Sequence, residues 1–526
     1  MIRMARRWSA VALLALAGCG GGGTTTSTTP PTTPTTPAAP AIPYTAGVFP
    51  ASGNFAAQCA APRTGINPAT SQPYPDVAGS ALAEKHFLRS WSNELYLWFD
   101  EITDRDPASV VSPAEYFSLL RTNATLATGA AKDQFHFTYD TADYYALSQS
   151  GTSLGYGISW GLIQGTPPRR VVVQYVQAGT AAAVQGVTRG AELQSIDGFS
   201  VVNDNTQAGL NAINNALFEP TSGSTHTLVF RTRSGTQLST QLPATNVTFN
   251  AVPVTKVIAT ASGNLGYILF NDHTAASEAA LVAAVQQLKA ANVQDLVLDL
   301  RYNGGGYLAI ASELAYMIAG PGATAGKTFE RLQFNSKYPS THPLTGQALQ
   351  PTPFYSTTGF STTTTALPSL ALSRLYVLTS DGTCSASESI INGLRGIGIQ
   401  VFQVGGNTCG KPYGFYPRDN CGTTYFSIQF KGVNAVGFGD YVEGFSSTRT
   451  VGEPQANLPG CAARDDYAHD LGDVQEERLR VAMDYRATGA CTGTLSAEEA
   501  APTSTGSGLL LSKPAEPWRE NRFLRP

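Results

Sequence analysis

Thr379 to Gly396 reads TSDGTCSASESIINGLRG. A strand-like apolar run, RLYVLT (Arg374–Thr379), stops at a turn, and Ser385 then opens a helix. A serine there can be an ordinary N-cap. It can also be a nucleophile, because free N–H groups at a helix mouth suit a developing oxyanion. A second junction, DLRYNGGG (Asp299–Gly306), ends in three glycines. Glycines let the backbone approach a substrate carbonyl without a side chain in the way. In parallel sheets such junctions gather at the carboxyl ends of the strands. A serine hydroxyl needs a base, and Lys411 follows in GGNTCGKPYGF (Gly405–Phe415). Lysine acts as a base only when neutral, which desolvation promotes. Pro412, Tyr413 and Phe415 predict burial there. Among the scattered histidines, His273 in LFNDHT and His136 in KDQFHFT are the alternative bases.

The elements that must position these residues are legible in outline. ALAEKHFLRSWSNELYLWFDE (residues 81–101) spaces Phe87, Leu88, Trp91, Leu95 and Trp98 as one face of a helix. Pro113 suits the first position of a second helix. Residues 46–149 therefore read as an N-terminal helical domain. Residues 150–248 change to short strands: VVVQYV, then GAELQSIDG, then HTLVFRT and TQLSTQLP as a closing hairpin. This stretch resembles a PDZ domain. The resemblance implies that Leu154, Gly155, Tyr156, Gly157 and Ile158 form a loop whose N–H groups hold a peptide C-terminal carboxylate. From 249 to 491, LGYILF, VQDLVLDL, RLYVLT and IQVFQVGG alternate with helical runs, which predicts a mainly parallel sheet.

Bulk properties narrow the function class. The 526 residues suffice for several domains. Charged residues are 14%, against about 25% in typical soluble chains, and the net charge is −4. Neither suggests a nucleic-acid partner. MIRMARRW followed by SAVALLALA is a basic and then short apolar leader. LAGC (Leu16–Cys19) resembles a bacterial lipobox, which implies a signal peptide over 1–18, lipidation of Cys19 and a cell-envelope location, with the outer membrane favoured. Residues 19–45 read as a Gly/Thr/Pro-rich tether and 492–526 as a disordered tail. Apart from Cys19, six cysteines remain, an even number for an oxidising compartment. Cys409 with Cys421 and Cys461 with Cys491 are the expected pairs, leaving Cys59 for Cys384. No two cysteines show C-x2-C metal spacing, and no metal or cofactor is expected.

Taken together, LVLDLRYNGGG, GTCSASESI and GGNTCGK resemble the C-terminal processing peptidases, the S41 family of serine proteases. KDQFHFT, LGYILF and ELYLWFDE fit the same family, so the resemblance runs over roughly residues 80–490. It implies a multidomain α+β fold: a helical N-terminal segment, a PDZ-like β-rich domain and an α/β core of the ClpP/crotonase type. It implies Ser385 as nucleophile, Lys411 as general base and Glu388 as an acidic support for the lysine. Glu388 is equally readable as a first-turn helix acid. Gly305 and Ala386 would donate oxyanion-hole N–H groups. The implied partners are peptides or unfolded proteins, with a membrane reached through the lipid. Cys384 stands where family members often have a small residue, and a Cys409–Cys421 bridge would make the base loop sensitive to reduction. The rival readings are a non-catalytic peptide- or ligand-binding lipoprotein on the same fold and a crotonase-like acyl-transfer enzyme.

Overall fold

The computed structural model describes residues 42–67, 70–448 and 452–491, with Leu509, Leu511, Arg522 and Phe523. The expected signal peptide, Cys19, most of the tether and most of the tail lie outside the described residues. Among the described residues, no helix is long and apolar enough to cross a membrane.

Helix α1 (Ala81–Leu95) starts where the Ser80 hydroxyl accepts the Ala83 N–H at 3.1 Å. Its apolar face buries Phe87, Leu88, Trp91 and Leu95 against Tyr116, Phe117 and Tyr425. The ring of Trp91 stacks on those of Phe87 and Phe117. Arg89, on the same helix, is buried against Asp104 at 2.6 Å, so its charge is not left uncompensated.

Five strands follow: β1 (Ile158–Gln164), β2 (Arg170–Val176), β3 (Glu192–Ile196), β4 (Thr225–Arg231) and β5 (Gln237–Pro243). They form an antiparallel sheet in the order β5-β4-β3-β2-β1, and Phe199–Ser200 adds a sixth strand beside β3. Helix α2 (Gln207–Phe218) closes one face, and Val171, Val173, Leu193, Ile213 and Phe230 make the core. The hairpin β4–β5 runs in register from Thr225 opposite Pro243 to Arg231 opposite Gln237.

A six-stranded sheet comprises β6 (Val254–Ile258), β7 (Leu265–Leu269), β8 (Asp295–Asp299), β9 (Arg374–Thr379), β10 (Gln400–Gly405) and β11 (Gly460–Cys461), in that spatial order. All neighbours are parallel except β6 with β7. Strands β7 and β8 are buried along their whole length, as expected of a parallel sheet covered on both faces. One face packs on α3 (Ser277–Ala290), α4 (Leu308–Thr324) and α5 (Ala386–Gly396) through Leu281, Leu314 and Ile390. The other packs on α6 (Glu477–Thr488) through Leu479 and Ala482.

The disulfides are Cys59–Cys421, Cys384–Cys409 and Cys461–Cys491. The last was expected. The expected pairs Cys409–Cys421 and Cys59–Cys384 are not formed. The reason is topological. Strands β9 and β10 are parallel neighbours, so the loops leaving their carboxyl ends lie side by side, and Cys409 N–H donates to Thr383 O at 3.0 Å. Beyond Lys411 the chain departs to pair Tyr413–Gly414 with Phe430–Lys431. That carries Cys421 to the N-terminal segment, where Asn420 accepts the Ala57 N–H at 2.8 Å.

A buried ionic network ties these parts together. Arg301, just past β8, is wholly buried and bonds Asp299 at 2.9 Å, Glu476 at 2.6 Å and Asp465 at 3.0 Å. Arg189, from the β2–β3 connection, reaches Asp465 at 2.5 Å and the Tyr302 hydroxyl at 2.6 Å. Burial alone would raise the Asp465 carboxyl, but Arg189, Arg478 and Arg301 hold it well below the usual carboxylate range. Glu476 is likewise lowered, its burial outweighed mainly by Arg301. Removing one member leaves buried charges unpaired, so Arg301→Ala is expected to cost about 3–5 kcal/mol in denaturant unfolding. Carboxyls with lowered folded pKa values contribute stability above their unfolded values and lose it as pH falls through the folded ones. Thermal midpoints should therefore drop below about pH 4, and less steeply in Arg301→Ala than in the wild type.

Candidate active site

Ser385 is the residue just before α5, and its backbone is at φ 57°, ψ −114°. That is a strained conformation for a residue with a side chain. A sharp strand–turn–helix passage of this kind presents a serine at the edge of a sheet. Across from it, the turn after β8 is pinned by Asn303. The Asn303 side-chain oxygen accepts the Gly305 N–H at 3.0 Å and bonds His273 Nδ1 at 2.9 Å. Its backbone carbonyl accepts Cys384 N–H at 3.1 Å and the Ser387 hydroxyl at 2.9 Å. The two junctions singled out in the sequence are thus wired to each other. A Cβ on Gly305 would lie 2.8 Å from Ser385 Cβ and 3.0 Å from Ala386 N, so glycine is required there.

Glu388 organises the remaining loop. Its Oε2 accepts the N–H of Ser385 at 2.9 Å and that of Lys411 at 2.8 Å. Its Oε1 accepts the Thr408 hydroxyl at 2.6 Å and the Gly410 N–H at 2.9 Å. Burial pushes this carboxyl above its ordinary value, against the opposing pull of Thr408, Lys411, Gly410 and Ser385. One carboxylate oxygen therefore carries the backbone of both the serine and the lysine. The Cys384–Cys409 disulfide adds a covalent tie between the same two loops, with the Cα atoms 5.2 Å apart.

Lys411 is fully buried. Its amine lies 4.3 Å from the Phe415 ring centre and 4.7 Å from that of Phe135. Phe135 belongs to KDQFHFT, so that segment does reach the site, through its phenylalanine. His136 instead stacks on Phe117, with ring centres 3.9 Å apart, and its Nε2 donates to Phe117 O at 2.9 Å. Burial lowers it to about 4. His273 is lowered by burial to about 3 and props the glycine turn. Its N–H donates to Gly305 O at 3.1 Å, and its carbonyl accepts Tyr307 N–H at 2.8 Å. Both histidines are accounted for as structural supports. Gly305 sits where expected, but its N–H is directed onto Asn303, so it is not positioned as an oxyanion donor. Ala386 opens α5 beside Ser385.

Among the described residues, Cys384, Glu388 and Cys409 are grouped closely enough to suggest a metal. The sulfurs are joined to each other, and both carboxylate oxygens are taken by N–H and O–H donors, so this donor set does not fit a cation. Leu154, Gly155, Tyr156, Gly157 and Ile158 border a cavity of about 1000 Å³ that extends to Leu217 on one side and Asn271 on the other. Leu154 and Gly155 lie in a strand paired with Thr245 and Asn246, which leaves Tyr156 and Gly157 as the turn. Asn303, Thr408, Phe135 and the Cys384–Cys409 bridge escaped the sequence reading. Only Asn303 carried a local signal, since asparagine before glycine favours a side-chain-to-backbone turn.

Replacing Glu388 by Ala strands three backbone N–H groups and a hydroxyl in a dry site. A loss of at least about 2 kcal/mol is expected in denaturant unfolding. A change under about 0.5 kcal/mol would show that Glu388 does not organise the loop.

Residues 264–415 match the family model described as Peptidase family S41. The resemblance drawn from the sequence is thereby shown over the segment that holds Ser385 and Lys411. A Bacteroides fragilis protein assigned to the S41 proteases is similar in structure, with TM-score 0.58 and 21% identity, covering 79% of this chain and 98% of that one. This likeness supports a shared α+β fold. A photosystem II D1 C-terminal processing protease aligns with TM-score 0.41 and 19% identity over 70% of this chain and 92% of its own. No curated protein matches the sequence.

Proposed function

We propose that this chain, with its S41 peptidase segment, is a serine endopeptidase of the C-terminal processing type that works through Ser385 and Lys411. The observation that carries this reading is the shared Glu388 oxygen, which fixes nucleophile and base loops to one atom. In the proposed reaction, neutral Lys411 takes the Ser385 hydroxyl proton as Oγ attacks a peptide carbonyl. The oxyanion forms beside the Ala386 N–H, at the mouth of α5. The proton passes to the departing amine, leaving an acyl-enzyme, and water activated by Lys411 hydrolyses it. Glu388 acts as a positioning residue through the backbone of Ser385 and Lys411. The placing of Lys411 supports the base role: it is buried between Phe135 and Phe415, in the loop that Glu388 ties to Ser385.

The substrates of this reading are unfolded or tail-exposed envelope proteins. Their C-terminal ends would enter the cavity at Leu154–Ile158, with the 150–248 region acting as a PDZ-like reader. Lipidation at Cys19 would hold the enzyme at the envelope membrane. No cofactor takes part.

Turnover of an unfolded protein such as reduced and alkylated casein tests the assignment. Ser385→Ala and Lys411→Ala should each lose at least about 10³-fold in kcat/KM. Retained activity in Lys411→Ala would remove the lysine from the base role. Inactivity of the wild type with intact peptide binding would favour a binding protein. The disulfide gives a second test. Reductant should lower wild-type kcat/KM by about 10- to 100-fold, the scale of a displaced catalytic group. A Cys384→Ser/Cys409→Ser variant should start low and ignore reductant, while Cys461→Ser/Cys491→Ser should behave as wild type.

A further inference from the structure

The cavity beside Leu154–Ile158 carries charge of one sign. Four acids border it: Asp140, Asp143, Glu219 and Asp272. Among the described residues that line it there is no lysine, arginine or histidine. Arg63 lies close to Gly422 at its edge, but Asp76 holds the Arg63 guanidinium at 2.8 Å and 2.9 Å. The acids come from three separate parts of the chain. Asp140 and Asp143 stand at the start of the helix Thr141–Ser150, where Asp140 accepts the Ala142 N–H at 2.8 Å. Glu219 follows the last turn of α2, and Asp272 lies just past β7. An acid suits a helix start, but at a helix end it opposes the dipole, so Glu219 does not serve α2. The Asp143 carboxyl is raised above its ordinary value by burial and, next, by the like charge of Asp140.

A buried amide faces the same space. Asn271 borders the cavity and is only 3% exposed. Its N–H donates to Ala251 O at 2.8 Å. Among the described residues, neither Oδ1 nor Nδ2 of its side chain has a hydrogen-bond partner. A buried carboxamide left in that state is costly, and a ligand entering the cavity can complete it. A carboxamide offers both an acceptor and donors, which match the N–H and C=O of a peptide group. Two residues on, His273 N–H donates to Gly305 O at 3.1 Å. The strand end that carries Asn271 therefore runs into the turn that packs against Ser385.

We propose that this cavity selects peptide segments rich in lysine and arginine, the acidic rim taking their cationic side chains and the Asn271 carboxamide their main chain. The stems of lysine and arginine cover apolar surface while their heads reach polar groups. That suits a cavity in which Leu154, Ile158 and Leu217 stand among the acids. The same rim turns acidic segments away, so selection comes from repulsion as well as attraction. The consequence for cleavage rests on the serine endopeptidase reading: basic tails are cut in preference to neutral or acidic ones.

The test uses the full chain carrying Ser385→Ala and fluorescein-labelled peptides that share a Leu-Ala end. These carry lysine, glutamine or glutamate at alternate positions. The lysine peptide should bind at least about 5-fold more tightly than the glutamine peptide, and the glutamate peptide more weakly than both. The margin should shrink in about 0.5 M salt. Asp143→Asn with Glu219→Gln, in the same background, should bring the lysine-to-glutamine ratio within about 2-fold. Asn271→Ala should weaken both peptides alike, by about 5- to 10-fold, with the ratio kept. Equal binding of the lysine and glutamine peptides, or a ratio that survives loss of the two acids, overturns the inference. With Ser385 intact, turnover of casein without any lysine preference sinks the inference and leaves the peptidase reading standing. A lysine preference in binding with no turnover of casein or peptide supports the inference and sinks the peptidase reading instead.

Discussion

A buried carboxylate that accepts four hydrogen bonds sets the geometry of this molecule's candidate site. Burying Glu388 alone would be unfavourable by several kcal/mol, so the carboxylate needs donors wherever it sits. The donors come from two loops that are remote in sequence and adjacent in space, at 385 and at 408–411. The carboxylate is tolerated only when both loops are in place, and the buried N–H groups of the loops are satisfied only when the carboxylate is there. A mutual requirement of this kind gives one arrangement rather than several.

The ionic network around Arg301 applies the same logic at larger scale. It is anchored by the residue that begins the glycine turn, by the N-cap acid of α6 and by an arginine from the β2–β3 connection. A shift of the 150–248 region relative to the parallel sheet must move Arg189, and Arg189 touches both Asp465 and Tyr302. Tyr302 is next to Asn303, which pins Gly305. The structure therefore contains a continuous chain of packed polar groups from the antiparallel sheet to the serine.

Much of this was legible in the sequence because it rests on local rules. Strand runs in β7 to β10 are short, apolar and bounded by turn residues, and α1 shows its aromatic face at helical spacing. Ser385, Lys411 and the triple glycine stood out because chemistry needs those residue types at strand ends. What was not legible depends on contacts distant along the chain. The cysteine pairing followed strand order, which proximity in sequence cannot supply: Cys409 lies nearer to Cys421 in sequence but opposite Cys384 in space. Phe135 over Lys411 could not be foreseen, because its segment gave no sign of which side chain would face the core. The role of Gly305 was misjudged for a local reason, the competing oxygen of Asn303 two residues earlier.

The Cys384–Cys409 bridge sits inside the constellation rather than at its margin, one residue before the serine and two before the lysine. Thiols join stably only where the surroundings oxidise them. Among reduced thiols the hydrogen bonds of Glu388 are the ties left between the two loops, and the covalent stitch across the site is absent. Completion of the site is thereby tied to the redox state of the surroundings in which the chain folds.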